Sequence, residues 1–285
     1  MKKINSVATT TYQKNGDELI EPYKSSYLEY NKNGNITCVA QYMPDGEVES
    51  KTISEYDENN RLIRQSEYFS EDEISEKAEY IRDEKGVLLE IKKNYADGSE
   101  STLSYRRSEN TLTITTNDED GELDEKEVVV FDANENIILK EIYDYNNKLQ
   151  EKYENEFDEK GHLVKQTEFT SGGMFSLTSE LKYDDEGRVL SQVSYNNKKE
   201  LTHKLIFKYD DKGRVVEQHV SNAYVMKTEY DDENHSQFET RTNIQGMVDI
   251  EKFSQFDEHG NILEEQEGFI VTKYEYKYFK DKTEH

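Results

Sequence analysis

The stretch Tyr183-Asp184-Asp185-Glu186-Gly187-Arg188-Val189 decides the fold, because it returns 26 residues later as Tyr209-Asp210-Asp211-Lys212-Gly213-Arg214-Val215. Its pattern is an aromatic anchor, Asp, two polar residues, Gly or Asn, any residue and an aliphatic. Further anchors, some degenerate, are Tyr30, Tyr56, Arg82, Arg106, Phe131, Phe157, Tyr230 and Phe256. A fixed period of this size indicates a repeat architecture in which one unit is stacked many times.

Each unit contains two turn signals and two strand signals. After the anchor, Asp can accept hydrogen bonds from its own downstream backbone and Gly can adopt a positive φ. The segment 188–195 that follows is β-branched and aromatic, and Asn196-Asn197-Lys198-Lys199 forms a second turn. The segment 201–209 then alternates in polarity, so Leu205, Phe207 and Tyr209 share one face. One unit is therefore a β-hairpin.

Ten anchors predict an all-β fold, a long antiparallel meander of about twenty strands built from 26-residue hairpin repeats. Strand twist accumulates in so wide a sheet, which favours curling into a trough, spiral or partial barrel with the aromatic and aliphatic face inside. The alternating Tyr274, Tyr276 and Tyr278 predict the last strand, expected at an open edge.

The repeat extends without a composition break, so residues 1–285 are interpreted as a single domain. The repeats cover about residues 27–265, and terminal capping strands are expected at both ends. Cys38 is the single cysteine, which excludes an intrachain disulfide. The N-terminal residues lack the apolar region of a signal peptide, and no apolar run approaches the ~20 residues of a membrane helix. These features predict a cytoplasmic protein.

Charge restricts the class of partner. Asp and Glu total 62 against 36 Lys and Arg, giving a net charge of −26. This charge repels nucleic acid and anionic membranes and favours a basic protein partner. A solvated acidic surface without any binding role explains the same composition. Without a partner, the chain is expected to be a monomer.

Catalytic and metal-binding motifs are missing from the sequence. The six histidines show no helical metal-pair spacing, and the acidic turns lack the Asp-x-Asp-x-Asp-Gly calcium pattern. Acidic residues are so abundant that any carboxylate pair is uninformative about glycoside hydrolysis. Phosphate-binding glycine loops and Ser or Cys nucleophile motifs are also absent. We therefore expect no enzyme activity, no cofactor and no metal, with a glycan-acting enzyme as the least favoured hypothesis.

The copies at 183–189 and 209–215 resemble the YD repeats of the Rhs family, and the resemblance covers most of residues 27–265. In large Rhs proteins, such repeats wind into a hollow shell around a toxic C-terminal domain. This chain has only ten units, and its residues after Phe256 are not expected to form a separate toxin segment. In size and composition it resembles instead the immunity or antitoxin proteins of bacterial polymorphic toxin systems, which bind and occlude a toxin domain.

The resemblance and the charge together predict a non-enzymatic immunity or antitoxin protein that occludes a cognate, basic bacterial toxin. The alternative is a structural or surface YD-repeat module, and one version of this alternative binds carbohydrate through its aromatic residues. The expected partner-binding residues are the acidic clusters of three successive turns, namely Asp184, Asp185, Glu186, Asp210, Asp211, Asp231, Asp232 and Glu233.

Overall fold

The computed structural model describes residues 3–280, which form 22 β-strands and one short 3-10 turn. The strands are β1 (Ile4–Asn15), β2 (Glu18–Tyr30), β3 (Ile36–Tyr42), β4 (Val48–Tyr56), β5 (Leu62–Tyr68), β6 (Ile74–Arg82), β7 (Leu88–Tyr95), β8 (Glu100–Ser108), β9 (Thr111–Asn117), β10 (Leu123–Phe131), β11 (Ile137–Asp144), β12 (Leu149–Phe157), β13 (Leu163–Thr170), β14 (Met174–Tyr183), β15 (Val189–Tyr195), β16 (Leu201–Tyr209), β17 (Val215–Val220), β18 (Tyr224–Asp231), β19 (Ser236–Asn243), β20 (Val248–Phe256), β21 (Ile262–Glu267) and β22 (Ile270–Tyr278). The 3-10 turn is Ser171–Gly173.

Every strand pairs antiparallel with the next one along the chain, and the sheet closes on itself. The closing ladder joins β1 to β22, with Val7 opposite Tyr276 and Gln13 opposite Ile270. The expected all-β antiparallel meander is confirmed, but the trough and the spiral are wrong, because the accumulated curl brings the first and last strands into register. The expectation of an open edge at Tyr274, Tyr276 and Tyr278 is wrong for the same reason.

The recurring phrase forms a turn that caps itself. The backbone N–H of Asp184 donates to the carbonyl of Arg188, and that of Gly187 donates to the carbonyl of Asp184. The Asp184 Oδ1 atom accepts from the amides of Glu186 and Arg188 at 3.1 and 2.8 Å. Gly187 has φ +82°, and the ladder register shifts where Tyr183 meets Val189. The resulting bulge adds local twist, which helps the sheet to curl.

The turns divide between two rims. One rim contains the turns that follow the even-numbered strands from β2 to β20, together with the start of β1 and the end of β22. Most of these turns begin at the Asp of the recurring phrase. We call this rim the Asp rim. The turn after each odd-numbered strand lies at the opposite rim, which we call the distal rim. Antiparallel pairing around the whole sheet imposes this division.

The two faces of the sheet differ in chemistry and exposure. The face that carries the anchors also carries Ser179 and Ser194, which are 4% and 2% exposed and lie 2.8 Å apart across β14 and β15. The other face carries exposed charged residues in mid-strand, such as Glu180 and Lys182. The other face also buries small apolar residues, with Ala40 at 2% and Val271 at 1% exposure, so both faces contribute to the packed part of the sheet.

The interior is open rather than filled. The accessible surface is 18644 Å² for a 33.5 kDa chain, whereas a compact monomer of this mass exposes about 12,700 Å². The extensive strand contacts within residues 3–280 all join neighbours in the sheet. Twenty-two strands spaced ~4.8 Å apart give a perimeter that corresponds to a diameter of roughly 34 Å before strand tilt widens it. Both faces are therefore solvated, which explains the low apolar content.

Candidate binding surfaces

The Asp rim is held together by a ladder that links successive repeats. The guanidinium Nε of Arg188 donates to Asp184 Oδ2 at 2.6 Å within one turn. The same guanidinium lies over the ring of Tyr209 in the next repeat, 4.8 Å from its centroid. The Tyr209 hydroxyl donates to the carbonyl of Val189 at 2.8 Å. Each repeat therefore positions the anchor of its successor.

Neighbouring repeats use the same arrangement with small substitutions. His162 replaces the arginine before Tyr183, with the two rings stacked at 4.7 Å, and Arg214 lies 4.0 Å from the Tyr230 centroid. Arg82 stands at an anchor position and donates weakly to the carbonyl of Leu62 at 3.5 Å. The hydroxyl donors to the preceding repeat's backbone are Tyr56, Tyr183, Tyr209, Tyr230 and Tyr276.

This ladder occupies part of the acidic set that the sequence predicts as a binding site. Hydrogen bonds from Asn234, from its side chain foremost, hold the pKa of Asp231 below its usual value. Burial acts to raise the pKa of Asp184 and Asp210, but bonds from the amides and guanidinium groups of Arg188 and Arg214 outweigh it and lower both pKa values. These three carboxylates act primarily as turn caps.

The remaining five acidic residues differ in availability. Asp232 forms ion pairs with Lys212 at 2.6 Å and Arg214 at 2.7 Å, and Glu186 pairs with Arg188 at 3.1 Å. The structure places all eight predicted residues on three successive turns of the Asp rim. Among the eight, Asp185, Asp211 and Glu233 are the carboxylates left exposed and without an ion-pair partner within residues 3–280.

The distal rim carries most of the exposed large apolar side chains, which were not predicted from the sequence. Among the described residues, nine large apolar side chains are more than half exposed, and eight of them lie at the distal rim. The eight are Phe69, Tyr145, Met174, Leu201, Ile244, Met247, Val248 and Phe269, and Val87 at the Asp rim is the ninth. Phe269 is 79% exposed. Exposed apolar side chains are therefore concentrated at one end of a strongly acidic chain.

A notch interrupts the distal rim where the β21–β22 hairpin is short. Strand β20 pairs with β19 from Val248 onward but with β21 only from Lys252 onward. The turn at Gly268 and Phe269 therefore ends below its neighbours, and a cavity of about 800 Å³ opens beside β20. Its lining combines four apolar residues with three carboxylates, namely Phe238, Val248, Ile250, Phe253, Asp249, Glu251 and Glu267.

A sequence signal for the notch exists in the repeat spacing. Phe256 and Tyr276 are 20 residues apart, six fewer than the usual period, and the missing residues shorten the hairpin at its distal end. The step from Tyr209 to Tyr230 is similarly reduced to 21 residues and accompanies a smaller cavity of about 330 Å³. Apolar residues within turns, such as Phe69 and Phe269, are the second signal.

Residues 3–280 contain neither a candidate metal cluster nor a membrane-spanning helix. No cluster of three or more His, Cys, Asp or Glu side chains in this part of the chain could hold a metal ion. Within the same residues, no helix has the length and apolar character needed to cross a membrane.

Comparisons with known proteins yield structural matches alone. No family model and no curated protein sequence matches the chain. A crystal structure of TcdB2-TccC3-Cdc42 matches 92% of this chain at 14% identity with a TM-score of 0.34, and this chain spans 18% of that one. A porin-like protein from Bacteroides uniformis matches 96% of this chain and 98% of its own at 9% identity and a TM-score of 0.37. One from Bacteroides vulgatus matches 74% of this chain and 100% of its own at 12% identity and a TM-score of 0.30. Scores this low carry no argument about function.

Proposed function

We propose that this chain is a non-enzymatic binding protein that holds a basic partner protein, in the manner of an immunity or antitoxin protein that occludes a toxin domain. The observation that carries the proposal is the concentration of exposed apolar side chains at the distal rim of a chain with net charge −26. Apolar anchors supply affinity in protein interfaces, and long-range charge selects and attracts the partner.

The two rims have different roles in this proposal. The distal rim makes the lasting contact, because side chains such as Ile244, Met247 and Phe269 lose water when a partner covers them. The free carboxylates of Asp185, Asp211 and Glu233 at the Asp rim add to the field that attracts a basic protein. Removal of distal-rim side chains should therefore speed dissociation, whereas removal of Asp-rim charge should slow association.

The test is coexpression with the product of the neighbouring gene, followed by calorimetric titration of the two purified proteins. We expect a saturable complex and, for a toxic neighbour, restored growth of the producing cells. The distal-rim variant Ile244→Ser/Met247→Ser/Phe269→Ser should weaken the affinity by at least tenfold. The matched control variant Ile63→Ser/Leu89→Ser/Leu190→Ser changes exposed aliphatic residues near the Asp rim and should retain the affinity.

Hen lysozyme serves as a basic protein without a cognate relation to the chain. Equal binding of lysozyme and the neighbouring gene product would reduce the interaction to nonspecific charge attraction and would contradict the proposal. A neighbouring gene product that fails to bind, combined with specific binding of a glycan, would contradict it as well and would favour the surface-module alternative.

A further inference from the structure

Strand β20 has an open backbone edge at the notch. In its segment Val248–Glu251, a bulge leaves Asp249 without a partner, while Val248, Ile250 and Glu251 lie opposite β19. No backbone hydrogen bond from the described residues reaches the other side of this segment. Successive residues of a regular strand direct their N–H and C=O groups to opposite sides, so one of Ile250 and Glu251, which follow the bulge, presents both groups to the cavity. Unpaired strand edges are templates for another strand.

The other short hairpin shows that such an edge can be closed. At the distal end of β16, the backbone N–H of Ser221 donates to the carbonyl of Lys204 at 2.8 Å. The Ser221 hydroxyl accepts from the N–H of Lys204 at 2.9 Å. These two bonds satisfy Lys204 where β17 ends. The edge of β20 lacks a comparable closing residue within residues 3–280. Shorter open ends also occur elsewhere at the distal rim, as at Leu201–His203 of β16, which pair with β15 but not with β17.

The gap is wider than one strand. Strands β21 and β22 do not continue past Glu267 and Ile270, and β1 ends two residues farther on, at Asn15, so β20 and β1 are separated there by roughly 14 Å, three times the ~4.8 Å spacing of paired strands. The four open residues extend about 13 Å along the edge. An extended segment of four to six residues therefore fits beside β20 without displacing it.

The side chains around the edge select the chemistry of the added segment. Glu251 and Glu267 line the cavity and have no ion-pair partner in the described part of the chain, whereas Asp249 is held by Arg241 at 2.9 Å. Val248 and Ile250 provide apolar contacts on the strand itself. A second copy of this acidic edge would oppose carboxylates with carboxylates, so charge disfavours self-pairing.

We propose that the notch binds an extended, basic and apolar segment of a partner protein, which adds to β20 as a further antiparallel or parallel strand. Backbone hydrogen bonds to Val248–Glu251 supply affinity, and Lys or Arg side chains of the segment pair with Glu251 and Glu267. The inference deepens the proposed function, because it rests on a basic protein partner and names where that partner inserts.

The experiment uses the full chain and capped eight-residue peptides of alternating Lys and Val. Calorimetry should show saturable binding of the Lys-Val peptide, and hydrogen exchange should slow at residues 248–251. A matched Glu-Val peptide should not bind. Two further Lys-Val peptides carry N-methyl groups, one on its odd-numbered amides and the other on its even-numbered amides. The peptide whose methylated edge faces β20 should bind at least tenfold more weakly, because methylation removes its hydrogen-bond donors. The other peptide should bind as tightly as the unmethylated one.

Charge-reversal variants separate the notch from general acidity. Glu251→Lys/Glu267→Lys should weaken the Lys-Val peptide at least tenfold, whereas Glu229→Lys/Glu275→Lys, at exposed positions elsewhere, should not. Equal binding of both methylated peptides and the parent, or protection away from 248–251, would overturn the inference. A neighbouring gene product that binds wild type and the notch double variant equally would overturn it while leaving the proposed function intact. If the peptide binds at the notch but the neighbouring gene product does not bind the chain, the proposed function is contradicted and the notch remains a peptide-binding site.

Discussion

At the scale of single residues, the phrase Asp uses both oxygens of its carboxylate. In the turn at Asp57, Oδ1 accepts from the amides of Asn59 and Arg61, and Oδ2 accepts from the Arg61 side chain at 2.7 Å. Asn31 takes the Asp position in another copy of the phrase, and Asn196 takes the corresponding position in a distal-rim turn; both keep the amide bonds through their own Oδ1. The acceptor atom is therefore essential to the turn, while the charge adds the bond to the following side chain.

The anchor hydroxyl gives the first prediction. Tyr209→Phe removes the 2.8 Å bond to the carbonyl of Val189 but keeps the ring under Arg188. We expect a loss of about 1 kcal/mol in the free energy of unfolding, equivalent to a fall of about 2 °C in Tm. Tyr145→Phe is the control, since Tyr145 is 67% exposed and its change should leave Tm unaltered. Equal effects of the two changes, measured by calorimetry, would show that the hydroxyl bond contributes nothing.

The pKa values of the capping carboxyls predict how stability depends on pH. Side-chain hydrogen bonds from Arg61, Asn136 and Asn261 are the leading causes that lower the pKa values of Asp57, Asp132 and Asp257. A lowered folded-state pKa means that the unfolded chain binds more protons, so stability is fully present above the unfolded value of about 3.9 and falls as pH drops through the folded values.

The triple variant Asp57→Asn/Asp132→Asn/Asp257→Asn tests this linkage. It keeps the amide bonds to Oδ1 but has no carboxyl to titrate at these turns. Urea unfolding between pH 5 and pH 2 should therefore show a shallower loss of stability than in wild type. Parallel pH curves for the two proteins would mean that these carboxyls have the same pKa folded and unfolded.

At the scale of elements, glycines in the Asp-rim turns allow close contact between some neighbouring hairpins. A Cβ atom placed on Gly187 would lie 2.9 Å from Nε2 of His162, the ring that stacks on Tyr183. A Cβ placed on Gly260 would meet nothing within 4 Å, although both glycines have φ +82°. The two positions therefore share the cost of a left-handed backbone but differ in contact with the preceding repeat.

These two glycines give a matched pair of variants. Gly260→Ala should cost about 1 kcal/mol through backbone strain alone. Gly187→Ala should cost more, since the His162 ring must also shift away from Tyr183. Chemical denaturation provides both values. A smaller cost for Gly187→Ala would indicate that the His162 ring is not held in the ladder.

At the scale of the whole molecule, the closed sheet encloses solvent. A compact chain of 285 residues has a radius of gyration of about 19 Å. Mass placed in a wall around an open interior lies farther from its centre, so small-angle X-ray scattering should give a clearly larger radius and the profile of a hollow particle. A radius near 19 Å would show that the wall collapses onto itself in solution.

The sequence predicted the repeating hairpin well because its information is local. The Asp, Gly and anchor of each phrase lie within seven residues, and they determine the turn, the bulge and the face of each strand. Ten phrases predict twenty strands. The other two strands are β1 and β22, which pair antiparallel with each other although no turn connects them.

The acidic site was predicted from composition, and composition does not show which carboxylates are already occupied. Asp184 caps its turn while the adjacent Asp185 remains exposed, a difference that depends on side-chain direction. The distal rim was missed because apolar residues such as Phe269 lie far apart along the chain. They come to the same end of the molecule only when the hairpins pair side by side.

By itself, the sequence determined the unit: a self-capped turn, two alternating strands and an anchor that packs on the next repeat. Tertiary structure alone decided closure, the open interior and the notch beside β20. The physical reason is that closure depends on small twists summed over 22 strands, until Val7 and Tyr276 come to lie opposite each other. No single segment of the sequence specifies the total twist. The notch likewise depends on neighbouring strands, because it forms where β20 extends beyond the β21–β22 hairpin.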